Sequence, residues 1–162
     1  GAKAKRDGGD GGAGRRRRPH VLYWGDSSTV RGLRVAVCNA SDVATPRCFA
    51  PPRDDYAALW LRVRADGAFF DSHLVEAAAA PMRLRDGNYL MLYNSARVVG
   101  PSERPHYALE YNVGWVVLDG AAPTRIVARS AAPILSPRTP WERHGLVPRV
   151  VFTEGWQRAP PP

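Results

Sequence analysis

The stretch YALEYNVGWVVLDG, residues 107–120, decides the fold. It is a strand-like apolar run closed by an Asp119-Gly120 pair, the composition of a β-strand that ends in a turn. Six further segments follow the same pattern: HVLYWGD (20–26), GLRVAVCNAS (32–41), YAALWLRVRADG (56–67), NYLMLYNS (88–95), TRIVARS (124–130) and RVVFTEGW (149–156). They alternate with period two or form short apolar runs, and Asp-Gly pairs at 66–67, 86–87 and 119–120 supply hairpin-type turns. No convincing amphipathic helix competes with them. The one helix-like composition, Glu76 to Ala80, is short and is stopped by Pro81. The expected fold class is all-β.

The 162 residues carry a net charge of +8, and 44% of them are hydrophobic, enough for one domain with its own core. No apolar run approaches the roughly 18 residues of a membrane span, so no membrane partner is expected. Much of the charge is local. Residues 1–18 hold seven Lys/Arg against Asp7 and Asp10 and lack any large apolar residue, so residues 1–19 are expected to be a disordered basic segment. The run Arg15 to Arg18 can hold phosphates, but no interleaved aromatic platform accompanies it, so a nucleic-acid partner is disfavoured. Cys38 and Cys48 show no metal-ligand spacing. Two half-buried free thiols are the favoured expectation, and a single disulfide stays open. The four histidines are scattered, and neither a metal nor an organic cofactor is implied.

FDSHLVEAAAAP, residues 70–81, brings one carboxylate, Glu76, into a run of small residues. Strand alternation places Ser72, Leu74 and Glu76 on one face and Asp71, His73 and Val75 on the other. The alanines behind Glu76 leave room for a ligand.

Two longer blocks carry a specific resemblance. Residues 111–156 contain, in order, Tyr-x-x-Gly, Leu-Asp, R-S-x-x-P-I-L-x-P, Trp-Glu and P-x-V-V-F-x-x-G, with Ala122-Pro123 in place of an Asp-Pro pair. Residues 69–96 contain Phe-Asp-Ser-x-Leu-Val-Glu, a Pro-containing loop and a strand ending in Tyr-Asn. Together they resemble glycoside hydrolase family 130, the β-mannoside phosphorylases and β-mannosidases.

The resemblance implies a five-bladed β-propeller with its active site at the central channel. At about 40 to 50 residues per blade the chain supplies roughly three blades, over residues 20–158, with 159–162 a Pro-rich end. It also implies that the general-acid Asp lies outside this chain. It makes Glu76 the candidate base and Asp71, Tyr93, Asn94, Tyr111 and Glu142 candidate substrate contacts. Glu142 has an alternative role, bracing its loop against Arg143 or Arg149.

The phosphorylase branch has a His after the strand Tyr and a Lys before the loop. Here Asn94 and Leu74 or Val75 stand at those positions. The expected activity is therefore inverting hydrolysis of β-mannosides, which needs a carboxylate base with space for a water. The alternatives are a β-mannoside phosphorylase and a non-catalytic glycan-binding remnant. A mannoside or oligosaccharide is the expected partner, and oligomeric state is not indicated.

Overall fold

The computed structural model describes residues 20–26, 31–39, 47–49, 59–101, 105–157 and 159. These residues are mostly β-sheet with almost no helix. The basic segment 1–19, with Arg15 to Arg18, lies outside the described residues.

The first sheet is built from β1 (His20–Asp26), β2 (Gly32–Asn39), β3 (Arg47–Phe49) and β4 (Leu61–Arg62), with β1, β3 and β4 all antiparallel to β2. The second contains β5 (Leu74–Ala77), β6 (Met82–Arg83), β7 (Tyr89–Val98), β8 (Leu109–Leu118) and β9 (Ile126–Arg129) in the order β5-β7-β8-β9, with β6 also on β7. The spine is the ten-residue pairing of β7 with β8, from Tyr89↔Leu118 to Val98↔Leu109. The two strands are joined through a 3-10 turn at Pro105–Ala108.

The core lies on one face of the second sheet. Val75, Met91, Tyr93, Val116 and Leu118 meet Leu33 and Leu61 from the first sheet, with Phe70 between. Gly114 is required here: a Cβ at this position would stand 2.4 Å from Cζ of Tyr93 and 2.8 Å from Cζ of Phe70. Its bare backbone is the floor on which the Tyr93 ring rests. The first sheet leans on the second through β1 and β2 against β5, and a Cβ on Gly25 would sit 3.4 Å from Cα of Glu76.

Six consecutive residues of β7, Met91 to Ala96, are buried. A half-exposed strand buries alternate residues only, so both faces of β7 are covered. The second cover is the segment 149–156, which crosses the sheet as a strap.

Several expectations are corrected. The thiols of Cys38 and Cys48 are not free but form a disulfide, because the β2–β3 register sets the two cysteines directly opposite each other. The helix-like composition at Glu76 to Ala80 continues the strand as far as Ala77. The segment 149–156 is not a strand. The β8 edge it would pair with is already used, by β9, by Ser130 and by Leu135 across from Val113, so only one backbone contact remains, Tyr111 N–H to the Arg149 carbonyl at 2.9 Å. Of 56–67, only Leu61–Arg62 pairs among the described residues. One helical turn, α1 (Pro140–Arg143), was not anticipated. Of the three Asp-Gly pairs only Gly87 takes a positive φ, 90°, at the β6–β7 turn, where Asp86 accepts the Asn88 N–H at 3.0 Å.

Candidate functional site

β5 delivers Glu76 by the alternation expected. Leu74 and Glu76 point away from the core, while Val75 is fully buried in it. The register places Glu76 opposite Asn94 on β7, and Asn94 opposite Val113 on β8. One step along, Leu74, Ala96 and Tyr111 form the neighbouring row on the same face. Glu76, Asn94 and Tyr111 are thus brought together.

The strap is fastened onto this face at several points. The Val150 N–H reaches the Glu142 carbonyl at 2.9 Å, and the Arg149 guanidinium donates to the carbonyls of Leu109 and Tyr107. Asn94 clamps Thr153 from both sides, donating Nδ2–H to its carbonyl at 3.1 Å and accepting its N–H at 2.8 Å. Trp156 donates its indole N–H to the Ala80 carbonyl at 2.9 Å. Part of the room left by the alanines is therefore taken by the strap. Asn94 is buried, and its amide is engaged with backbone.

Glu154 follows Thr153, and its carboxylate acts on Glu76. Burial pushes the Glu76 carboxyl above the usual carboxylate range, and the negative charge of Glu154 pushes it further. Tyr111 is raised for the same two kinds of reason, burial first and then the charge of Glu76. Two carboxylates and a phenol share one electrostatic environment.

Asp71 and Tyr93 are elsewhere. Asp71 is 0% exposed on the core side, where Oδ2 accepts Tyr93 O–H at 2.7 Å and Arg129 Nη2–H at 2.5 Å, and Arg64 Nε stands 3.7 Å from Oδ1. Burial is the first cause that lifts Tyr93 to about 12. These two side chains face the interior and not Glu76.

Glu142 is separate again. Its carboxylate accepts the backbone N–H groups of Arg138 at 2.7 Å and Thr139 at 2.8 Å, capping α1, and these bonds hold it below the usual range. It braces its loop through backbone groups, not through Arg143 or Arg149 as the alternative role had it. It lines a cleft of about 620 Å³ together with Ile134, Leu135, Trp141, Val150 and Phe152, and none of Glu76, Asn94 or Tyr111 lines that cleft.

Glu154 and Arg129 were missed in the sequence. Glu154 lay inside a segment read as a strand. Arg129 is 58 residues from its partner Asp71, and no local pattern joins them. Among the described residues, no group of three His, Cys, Asp or Glu stands together to hold a metal.

Residues 57–159 match the glycoside hydrolase family 130 model, described as beta-1,4-mannooligosaccharide phosphorylase. The chain belongs to this family of mannoside-active enzymes. Two curated relatives from Thermoanaerobacter sp. (strain X514) align over 86 residues, 53% of this chain. A 1,2-beta-oligomannan phosphorylase is 31% identical, with 26% of its length covered, and a beta-1,2-mannobiose phosphorylase is 35% identical, with 25% covered. The chain thus spans about a quarter of the length of these relatives. A solved structure from work on glycoside hydrolases of this phosphorylase family, which target β-1,2 mannosidic linkages in Candida mannan, superposes with a TM-score of 0.62. It is 26% identical, over 85% of this chain and 36% of that one.

Proposed function

We propose that the complete protein cleaves β-mannosidic bonds and that this chain supplies the face around Glu76. The observation that carries the reading is that the family-matched segment folds to set Glu76, half-buried, on a sheet face beside Tyr111 and Glu154. The two sheets are, in this reading, blades of the family's propeller, and the general acid comes from outside the chain. Asp71, Tyr93 and Glu142 support the face from behind or from its rim, and Tyr111 is the candidate sugar contact among the residues singled out.

Transfer of the mannosyl group to phosphate is the first reading, because both curated relatives are phosphorylases of β-1,2-linked mannosides. The bond from the anomeric carbon to the glycosidic oxygen breaks, a phosphate oxygen takes the carbon, and the leaving oxygen receives a proton. Glu76 in its protonated form donates a hydrogen bond to phosphate; ionised, it repels it. A dianion about 5 Å from one carboxylate is opposed by roughly 6 to 7 kcal/mol at an effective dielectric of about 20.

That repulsion supports the second reading, transfer to water. Two carboxylates on one face suit a water that Glu76 deprotonates as it attacks the anomeric carbon. The experiment is an assay of the complete protein on β-1,2-mannobiose with and without inorganic phosphate. Mannose 1-phosphate formed only when phosphate is present supports the first reading, and mannose released equally without it supports the second. No cleavage in either condition defeats both.

A further inference from the structure

The strap holds in place the second carboxylate that the proposed function uses. It brings Glu154 to Glu76 although 78 positions separate them in the chain, and its placement depends on Asn94, the cross-strand neighbour of Glu76. Asn94 spends both ends of its amide on the Thr153 backbone, and Trp156 closes the strap onto the loop that follows β5. The residue between these two anchors, apart from Gly155, is Glu154. A buried asparagine with a two-point backbone bond fixes a neighbouring residue more tightly than a single contact does, because rotation about either bond breaks the other.

We propose that the Asn94–Thr153 clamp makes the strap part of the reactive face and holds Glu154 there as a second site carboxylate beside Glu76. Asn94 is then a positioning residue and not a sugar ligand. The inference rests on the reading of Glu76 as a site carboxylate.

Among the described residues, the groups facing Glu76 are few. The strap presents Glu154, β8 presents the Tyr111 phenol, β7 presents the neutral Asn94, and β1 packs on it through Gly25. Tyr111 is neutral throughout the range in which carboxylates titrate, so Glu154 is the charge to remove. Its loss relieves the repulsion of ionised Glu76, and the Glu76 titration moves to lower pH.

The test is an NMR titration of 13C-labelled glutamate carboxyls in the complete protein, as wild type, Glu154→Gln and Asn94→Ala. This readout does not require turnover. Glu154 is exposed, so the isosteric Gln leaves the fold in place. The expected result is a Glu76 midpoint lowered in Glu154→Gln and lowered similarly in Asn94→Ala, where amide exchange at 150–156 also rises at least tenfold. In the same proteins, the pH limb of β-1,2-mannobiose cleavage moves with the Glu76 midpoint, while Glu154→Asp keeps it near the wild-type position.

A Glu76 midpoint unchanged by Glu154→Gln overturns the inference. So does a midpoint that Asn94→Ala leaves in place while the strap loosens. If the midpoint moves but Glu76→Gln retains full activity, the inference about the pair stands and the reading of Glu76 as the reacting carboxylate falls.

Discussion

Replacing Asp71 with alanine separates a structural acid from a sugar ligand. Asp71 is completely buried, and its Oδ2 receives Tyr93 O–H at 2.7 Å, Arg129 Nε–H at 3.1 Å and Arg129 Nη2–H at 2.5 Å. Among the described residues Oδ1 has no hydrogen-bond partner, and Arg64 at 3.7 Å contributes charge only. Truncation leaves the Arg129 guanidinium, whose side chain is 18% exposed, without its carboxylate, and leaves the Tyr93 hydroxyl, over the Gly114 backbone, without its acceptor. Removing one partner of a buried pair costs about 3 to 5 kcal/mol. For a domain of this size each kcal/mol is about 2 to 4 °C of Tm, so the melting temperature falls by roughly 6 to 20 °C.

The assay is thermal and urea unfolding of Asp71→Ala, Arg129→Met and the double variant. The double variant is expected to lose clearly less than the sum of the singles, because either single change alone already breaks the pair. A loss below about 1 kcal/mol for Asp71→Ala, or strict additivity, refutes the reasoning and returns Asp71 to a role in substrate contact.

Gly114→Ala sets a methyl against the Tyr93 and Phe70 rings and is expected to cost at least the 1 to 3 kcal/mol of an overpacked core, read by urea unfolding. Opening the Cys38–Cys48 disulfide, which closes a short loop, is expected to lower stability by about 2 to 3 kcal/mol, and alkylation before reduction is expected to leave both thiols unlabelled in mass spectrometry. Glu76 titrates above its unfolded value, so ionising it opposes folding. Stability gained from this group is full at acid pH and declines as pH rises through the folded-state midpoint, and Glu76→Gln is expected to flatten that decline in unfolding curves measured across pH.

The all-β character was legible because β7 and β8 write it in their own residues: aromatic and aliphatic runs, the valines of β8 and the Asp119-Gly120 pair that closes it. The outward direction of Glu76 was legible for the same reason, since period two is a property of the strand itself. What escaped were relations across the chain. The disulfide follows from the β2–β3 register, which no local pattern states. Asp71 and Arg129 meet only because β9 lies beside β8 and carries Arg129 to the core side. RVVFTEGW has a strand's composition, yet β9, Ser130 and Leu135 occupy most of the β8 edge it would need, so it became a strap whose side-chain clamp carries Glu154 to the site. Asn94 and Glu142 were singled out by position in a motif, and in the structure their polar groups serve backbone.

The most direct test of the central claim is the rate of β-1,2-mannobiose cleavage by the complete protein carrying Glu76→Gln, measured with saturating substrate and with phosphate both present and absent. The account predicts a fall of about 10²- to 10⁴-fold in phosphate-independent cleavage, where Glu76 is the base, the usual contribution of a placed acid–base group. In phosphorolysis, where Glu76 is a neutral hydrogen-bond donor to phosphate, the Gln amide keeps that bond and most of the rate. Wild-type rates of phosphate-independent cleavage in the Glu76→Gln protein would contradict it.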